Sequence, residues 1–209
     1  ANTRYIHFRF HKVNDFFNSP SVNLPKTGNI AQNKDDRAKP ITVRLPKNVL
    51  MPKYVTINAS SETDWVYFSL SQGRTLEIKD PTSIEWDLAF RRGKVITNGG
   101  ATNKFGQGAA LNLGEIPFHD VLKVQKEDYV QDSRRKTESE NKELNSWYKY
   151  NFLTHKLTAR ENVYALKSAK GKFAKIQFLS FYCENGETGC IKMRYVYQSN
   201  GTNGFINES

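Results

Sequence analysis

The sequence predicts an all-β fold of twisted antiparallel sheets, packed as a sandwich or closed as a barrel, with long loops and at most short helices. Three observations carry that prediction. Short runs of β-branched and aromatic residues recur through the chain, divided by turn residues. Near the C-terminal end a strict period-two run faces a second run across a turn. With 13 Phe, 10 Tyr and 3 Trp in 209 residues, there is enough bulky apolar material to fill the core that such sheets need.

The first 40 residues stand apart. Tyr5, Ile6, Phe8 and Phe10 suggest a short strand near 4–10, after which Asn18 to Pro40 is polar and rich in Pro, Gly and Asn. We read 1–40 as a partly irregular N-terminal extension, 41–200 as the β domain and 201–209 as a flexible tail. Within the domain, strands are expected at Tyr54–Asn58, Trp65–Leu70, Arg74–Ile78 and Ile84–Phe90, separated by turn material such as Ser71-Gln72-Gly73 and Asp80-Pro81. The stretch from Gly99 to Gly114 is rich in Gly, Ala and Asn but lacks a phosphate-binding pattern. Two readings stay open there: a loop that needs positive backbone angles, or one whose main chain approaches a flat ligand. The charged segment Gln131–Leu144 reads as a solvated flap or a short exposed helix.

The C-terminal hairpin is the most informative segment. Ile191, Met193, Tyr195 and Tyr197 alternate with Lys192 and Arg194, and Lys175–Cys183 precedes them across Glu184–Gly189. If Cys183 faces Cys190, then Tyr182 faces Ile191, Ser180 faces Met193, Phe178 faces Tyr195 and Ile176 faces Tyr197. That register gives one largely apolar face. It also sets the chain's only two cysteines opposite each other, where a disulfide can form. A bridge would imply an oxidising compartment; two free thiols flanking a turn are the other reading.

Lys and Arg total 31 against 21 Asp and Glu, a net charge of +10 that favours anionic partners: nucleic acid, a phospholipid surface, or a small acid such as a porphyrin with propionates. Solubility alone is the plainer account. No apolar run approaches the roughly 18 residues of a membrane-spanning helix. Ala1–Arg4 carries no signal-like stretch, which suits a cytosolic chain or a trimmed one equally. Catalytic signatures such as HExxH, GxSxG and CxxC are absent, so the chain is read as a non-enzyme. Soft-metal candidates are the four histidines, His7, His11, His119 and His155; Met193 reads as core packing.

Several segments resemble the HmuY-like proteins. These are Trp86-Asp-Leu-Ala-Phe-Arg-Arg92 followed by Val95–Gly100, then Asp128–Asp132, Trp147–Tyr150, Val163–Leu166, Gly171–Tyr182 and Arg194–Gln198. The likeness runs from about Tyr54 to Gln198 and leaves residues 1–40 outside it. It implies an exported, all-β lipoprotein of the outer membrane, cell surface or periplasm, tethered only by a lipid anchor outside this chain. Such a protein binds haem for iron acquisition and exchanges it with an outer-membrane haem receptor or a host haem protein. In the family two histidines or two methionines clamp the iron, and one ligand can follow the Trp-x-x-Ala-Phe strand. That place is Arg91 here, and arginine cannot ligate iron.

A modified site can still be assembled on paper. His119 and His155 are the axial candidates, with Tyr129 as a weaker phenolate. Arg91, Arg92, Lys94 and Lys104 are the propionate-binding candidates, and Phe105 and Phe118 the apolar walls. A surface interaction module of the same fold that has lost haem coordination is the alternative, favoured by Arg91. Single-stranded nucleic acid on a basic aromatic sheet is a third reading, disfavoured by the expected disulfide.

Overall fold

Alternation of buried and exposed side chains decides which segments pair. In the computed structural model, which describes residues 48–206, the strands are β1 (Lys53–Asn58), β2 (Val66–Ser69), β3 (Arg74–Leu76), β4 (Leu88–Arg91), β5 (Lys94–Thr97), β6 (Ala109–Asn112), β7 (Ser133–Arg135), β8 (Glu138–Glu140), β9 (Tyr148–Asn151), β10 (Lys156–Ala159), β11 (Val163–Lys167), β12 (Phe173–Tyr182) and β13 (Thr188–Tyr197). A single 3-10 turn, Phe118–Asp120, is the helical element among the described residues. The all-β expectation is met. A five-stranded sheet in the order β1-β13-β12-β11-β6 faces a four-stranded sheet, β3-β2-β4-β5, and two hairpins, β7-β8 and β9-β10, stand beside them. Every strand pair is antiparallel. The segment at 1–40 lies outside the described residues.

Between the sheets, Phe68, Leu70, Leu88, Phe90 and Val95 pack against Tyr164, Leu166, Ile176, Phe178, Met193 and Tyr195, with Trp147 closing one end. The other face of the five-stranded sheet carries Val163, Ala165, Phe173 and Val196. It is covered by Phe118, Val121, Val124 and Phe205. Both faces of that sheet are therefore buried, and β11 reads as a continuous apolar run rather than an alternating one.

The sequence reading needs four corrections here. Residues 84–87 are not strand. Trp86 turns inward and donates its Nε1–H to the Pro81 carbonyl, while the Asp87 carboxylate accepts the Leu70 and Ala169 amides, so β4 starts only at Leu88. Gln131–Leu144 is neither flap nor helix; it holds the β7-β8 hairpin and buries Asp132, Asn141 and Leu144.

In the C-terminal hairpin the disulfide between Cys183 and Cys190 is present, with Cα atoms 4.8 Å apart. The strand register is displaced by two, with Phe178 opposite Met193 and Ile176 opposite Tyr195. Two irregularities separate this pairing from the cysteines: a bulge at Leu179 adds a residue to β12 between Phe178 and Ser180, and a second register shift falls between Ser180 and Tyr182. A displacement of two keeps Ile176 and Phe178 on the core side, and beyond the bulge it is Phe181 that points inward. Closing so short a loop, the bridge contributes about 2 kcal/mol and mainly fixes register.

Finally, 201–206 is no free tail. Phe205 is fully buried, the Leu50 amide donates to its carbonyl, and Ile206 bridges Val49.

Lys175 shows what that outer layer demands. Only 1% exposed, its ammonium donates to the carbonyls of Phe118 (2.8 Å) and Val121 (2.7 Å) and lies 4.5 Å from the Phe118 ring centroid. The lysine thereby pins the 3-10 turn onto the sheet. Burial, helped by nearby Arg194, pushes its pKa down to about 8. The unfolded chain then holds one more proton than the folded chain between pH 8 and the ordinary lysine value near 10.5, so stability rises with pH across that window. Urea unfolding at pH 8 and pH 10 should show wild type gaining about 2–3 kcal/mol over Lys175→Met, a difference that cancels the tyrosines common to both.

Candidate functional site

Two adjacent arginines at the end of β4 point in different directions, Arg91 as the last strand residue and Arg92 as the first residue of the turn. Arg91 lies over the Trp65 ring, 4.5 Å from its centroid, and donates to Glu138 Oε1 at 2.6 Å. Arg92 reaches the other way, toward the disulfide hairpin, where it donates to Thr188 Oγ1 (2.9 Å) and to the carbonyls of Ser60 and Thr188. Its left-handed φ of 51° makes the tight turn into Gly93. Lys94, first in β5, donates to the second Glu138 oxygen at 2.5 Å. One carboxylate from β8 thus bridges the two cations at the end of the β4-β5 hairpin. Those two hydrogen bonds hold the Glu138 carboxyl below its usual range.

Beside this bridge opens a cleft of about 420 Å³, half enclosed. Its walls come from the β4-β5 hairpin (Gly93, Lys94, Ile96), the β7-β8 hairpin (Arg135, Lys136, Glu138, Glu140) and Tyr148 of β9. Gly93 is small for a reason. A Cβ there would stand 3.1 Å from the Tyr148 ring. Trp147 fixes the same turn from beneath, donating its Nε1–H to the Gly93 carbonyl at 2.9 Å. Three cations against two carboxylates give the wall a positive balance. Arg135 is partly engaged with Glu140 at 3.3 Å, and Lys136 forms no ion pair among the described residues.

The two axial candidates do not meet. His119 sits on the 3-10 turn, exposed, with Nε2 3.3 Å from Asp120 Oδ1. His155 sits in the β9-β10 loop, exposed, with Nδ1 2.6 Å from the Tyr150 hydroxyl. Phe118, next to His119, belongs to the outer layer on one face of the five-stranded sheet, whereas Tyr148 and Leu157 of the β9-β10 hairpin pack on the core side. Their elements cover opposite faces of one sheet, so a shared iron between them is excluded by topology.

Tyr129 fails for another reason: burial pushes its phenol far up, and its hydroxyl donates to the Gln125 carbonyl, so a phenolate is not on offer. Met193 is core and Met51 is solvent-exposed. Phe118 is buried beneath Lys175 rather than lining a pocket. Among the described residues no cluster of His, Cys, Asp and Glu could hold a metal.

Lys104 and Phe105 lie away from the cleft, the ammonium 5.0 Å from the ring centroid on the Gly-rich loop. That loop answers the open question about its glycines. A Cβ on Gly99 would fall 2.1 Å from the Gly108 carbonyl oxygen, and one on Gly106 would fall 2.0 Å from that of Asn98. Its backbone packs on itself, tied down by buried Asn98 and Asn103, and the close approach is internal.

Of the four propionate candidates, Arg91 and Lys94 are brought together on Glu138 with only Lys94 on the cleft wall, Arg92 is turned away from it, and Lys104 is elsewhere. The sequence reading missed Arg135, Lys136, Glu138 and Tyr148. A signal was available in Arg134–Glu140, where a basic arm and an acidic arm flank Lys136-Thr137, as a salt-bridged hairpin would require.

The comparisons with known proteins follow the same lines. No curated protein matches the chain. Among solved structures, the Tannerella forsythia apo HmuY analog shares 21% identity at a TM-score of 0.59, covering 72% of this chain and 98% of that one. A candidate HmuY-like heme-binding protein from Bacteroides vulgatus shares 19% identity at 0.58, covering 70% and 91%. A candidate lipoprotein from Bacteroides fragilis shares 20% at 0.56, covering 70% and 89%. The fold is therefore common to all of them. The HmuY protein family itself matches residues 61–195, which span the cleft, the four-stranded sheet, the disulfide and the five-stranded sheet except β1 and the last two residues of β13, and this chain belongs to it.

Proposed function

We propose that the chain is a non-catalytic binding module of an exported, lipoprotein-type HmuY protein, and that its ligand is haem or a closely similar anionic tetrapyrrole gripped by its ring and carboxylates. The observation that carries this reading is the position of the cleft. It opens at the end of the Trp86-x-x-Ala-Phe90 segment, where the family resemblance puts a ligand, and it is walled by Tyr148, Lys94, Arg135 and Lys136. The description of the Bacteroides vulgatus relative supports the ligand class, and that of the Bacteroides fragilis relative supports export. The disulfide is in keeping with an oxidising compartment. Exchange with an outer-membrane receptor or a host haem protein belongs to the same reading.

No histidine, methionine or cysteine lies on the cleft wall, which leaves the Tyr148 phenol as the one wall group of a kind that can ligate haem iron, and no pair to clamp it. Recognition would then rest on the Tyr148 ring and on cations that donate charge-assisted hydrogen bonds to the carboxylates.

Haemin titration followed by quenching of tryptophan fluorescence tests the proposal. Saturable quenching is expected, without the Soret shift of a six-coordinate iron. An Arg135→Glu/Lys136→Glu variant should bind about ten-fold more weakly. A second reading is favoured by the Arg91–Glu138–Lys94 bridge, which ties up one wall cation, Lys94, and the Arg91 behind it. On that reading the chain is a surface interaction module that has lost haem, and a flat titration would select it.

A further inference from the structure

The β9-β10 hairpin ends in an apolar tip that covers no core cluster among the described residues. Phe152 is 81% exposed and Leu153 93%, side by side at the turn. The tip is held in shape rather than loose. The Asn151 side chain accepts the amides of Leu153 and Thr154, the Tyr150 ring meets Phe152 edge-on at 5.0 Å, and the Tyr150 hydroxyl is hydrogen-bonded to His155. The base is anchored: Tyr148, Leu157 and Ala159 pack on the core, and the Leu157 amide donates to the Tyr182 hydroxyl.

Along the hairpin itself the charge is of one sign. From Leu144 to Arg160 there is no Asp or Glu, while Lys149, Lys156 and Arg160 are present. Neither Lys149 nor Lys156 forms an ion pair among the described residues. Both lysines are exposed and flank the apolar pair on either arm.

We infer that this hairpin is a membrane-contacting finger, which sinks Phe152 and Leu153 into the interfacial region of an anionic lipid bilayer while Lys149 and Lys156 engage the headgroups. An apolar point inside a cationic collar is the combination that gives interfacial binding, with burial supplied by the point and attraction by the collar. A bilayer is the occupant the geometry favours. Two side chains on a narrow tip do not offer the roughly 800 Å² per partner of an ordinary protein interface, whereas a bilayer asks only for depth. The inference is independent of the tetrapyrrole reading, since it concerns a different surface.

Co-sedimentation with phosphatidylcholine vesicles containing about a third phosphatidylglycerol tests it, with pure phosphatidylcholine as the control. Wild type should bind the anionic vesicles about ten-fold more strongly than the neutral ones. A Phe152→Ser/Leu153→Ser variant should lose most of that binding with a nearly unchanged melting temperature, because both side chains are exposed and Phe152 meets the edge of the Tyr150 ring without entering the core. Lys149→Glu/Lys156→Glu should lose the preference for anionic lipid. A Phe152→Trp variant should show a blue-shifted emission on vesicle addition. Equal partitioning of wild type and the serine variant, or no wild-type binding to anionic vesicles, would overturn the inference. An acidic protein partner would then be the remaining class of occupant.

Discussion

Trp147→Ala is expected to cost about 3–5 kcal/mol of stability and to lower the melting temperature by about 10 °C. The side chain is fully buried at the end of the inter-sheet core, with its ring centroid 4.8 Å from Phe178, 5.2 Å from Tyr148 and 6.1 Å from Phe181. Its removal leaves a cavity that β9, β12 and the β4-β5 turn around it can only partly close. It also leaves the Gly93 carbonyl without its 2.9 Å donor. Trp147→Phe separates the two losses: the ring contacts largely survive, the hydrogen bond does not, and about 1–2 kcal/mol is expected. Calorimetry on the three proteins checks the order. Because Gly93 forms part of the cleft wall, both variants should also weaken haemin quenching, Trp147→Ala the more.

The second large effect is expected at Asp132. This buried carboxylate accepts the Thr97 amide (3.0 Å), the Thr97 hydroxyl (2.7 Å), the Thr102 hydroxyl (2.5 Å) and the Asn141 side-chain amide (3.0 Å). It joins β5, the Gly-rich loop and the segment after β8 at one point. Asp132→Ala strands several buried donors, and about 3–5 kcal/mol should be lost, read as a fall in the urea midpoint.

Burial pushes the Asp132 carboxyl above the usual carboxylate range despite those hydrogen bonds. The folded chain therefore binds its proton at a higher pH than the unfolded chain. This group's contribution to stability accordingly declines as pH rises from about 4 through the raised value. Asp132→Asn should recover part of the stability lost in the alanine variant and show none of that pH dependence.

How far the amino-acid pattern reveals this molecule depends on what each residue type announces. Alternation announced β13 and the turn chemistry around it, so the facing cysteines were readable. The bulge at Leu179 was not, because a leucine there looks like any strand residue and only the final pairing shows that it is extra. Lys175 inside a strand reads as a solvent-facing position; it is buried because two carbonyls and two rings from the chain around Phe118 and Phe205 close over it. For the site, Arg91 and Lys94 were identifiable from their place after the Trp-x-x-Ala-Phe strand. Their shared partner Glu138 lies 47 residues beyond Arg91, and no local pattern links positions so distant. The histidines were chosen for their chemistry, and it is the layering of the five-stranded sheet that separates them.

The pairing of Leu50 with Phe205, and of Val49 with Ile206, brings the entry and exit of the β domain side by side. A short peptide could splice them, so new ends opened in an exposed turn would leave the architecture whole. Mechanically, a pull on the polypeptide from both sides would strain this clasp first. Tension along a tether would therefore be met at one corner of the molecule before it reached the strands that wall the cleft.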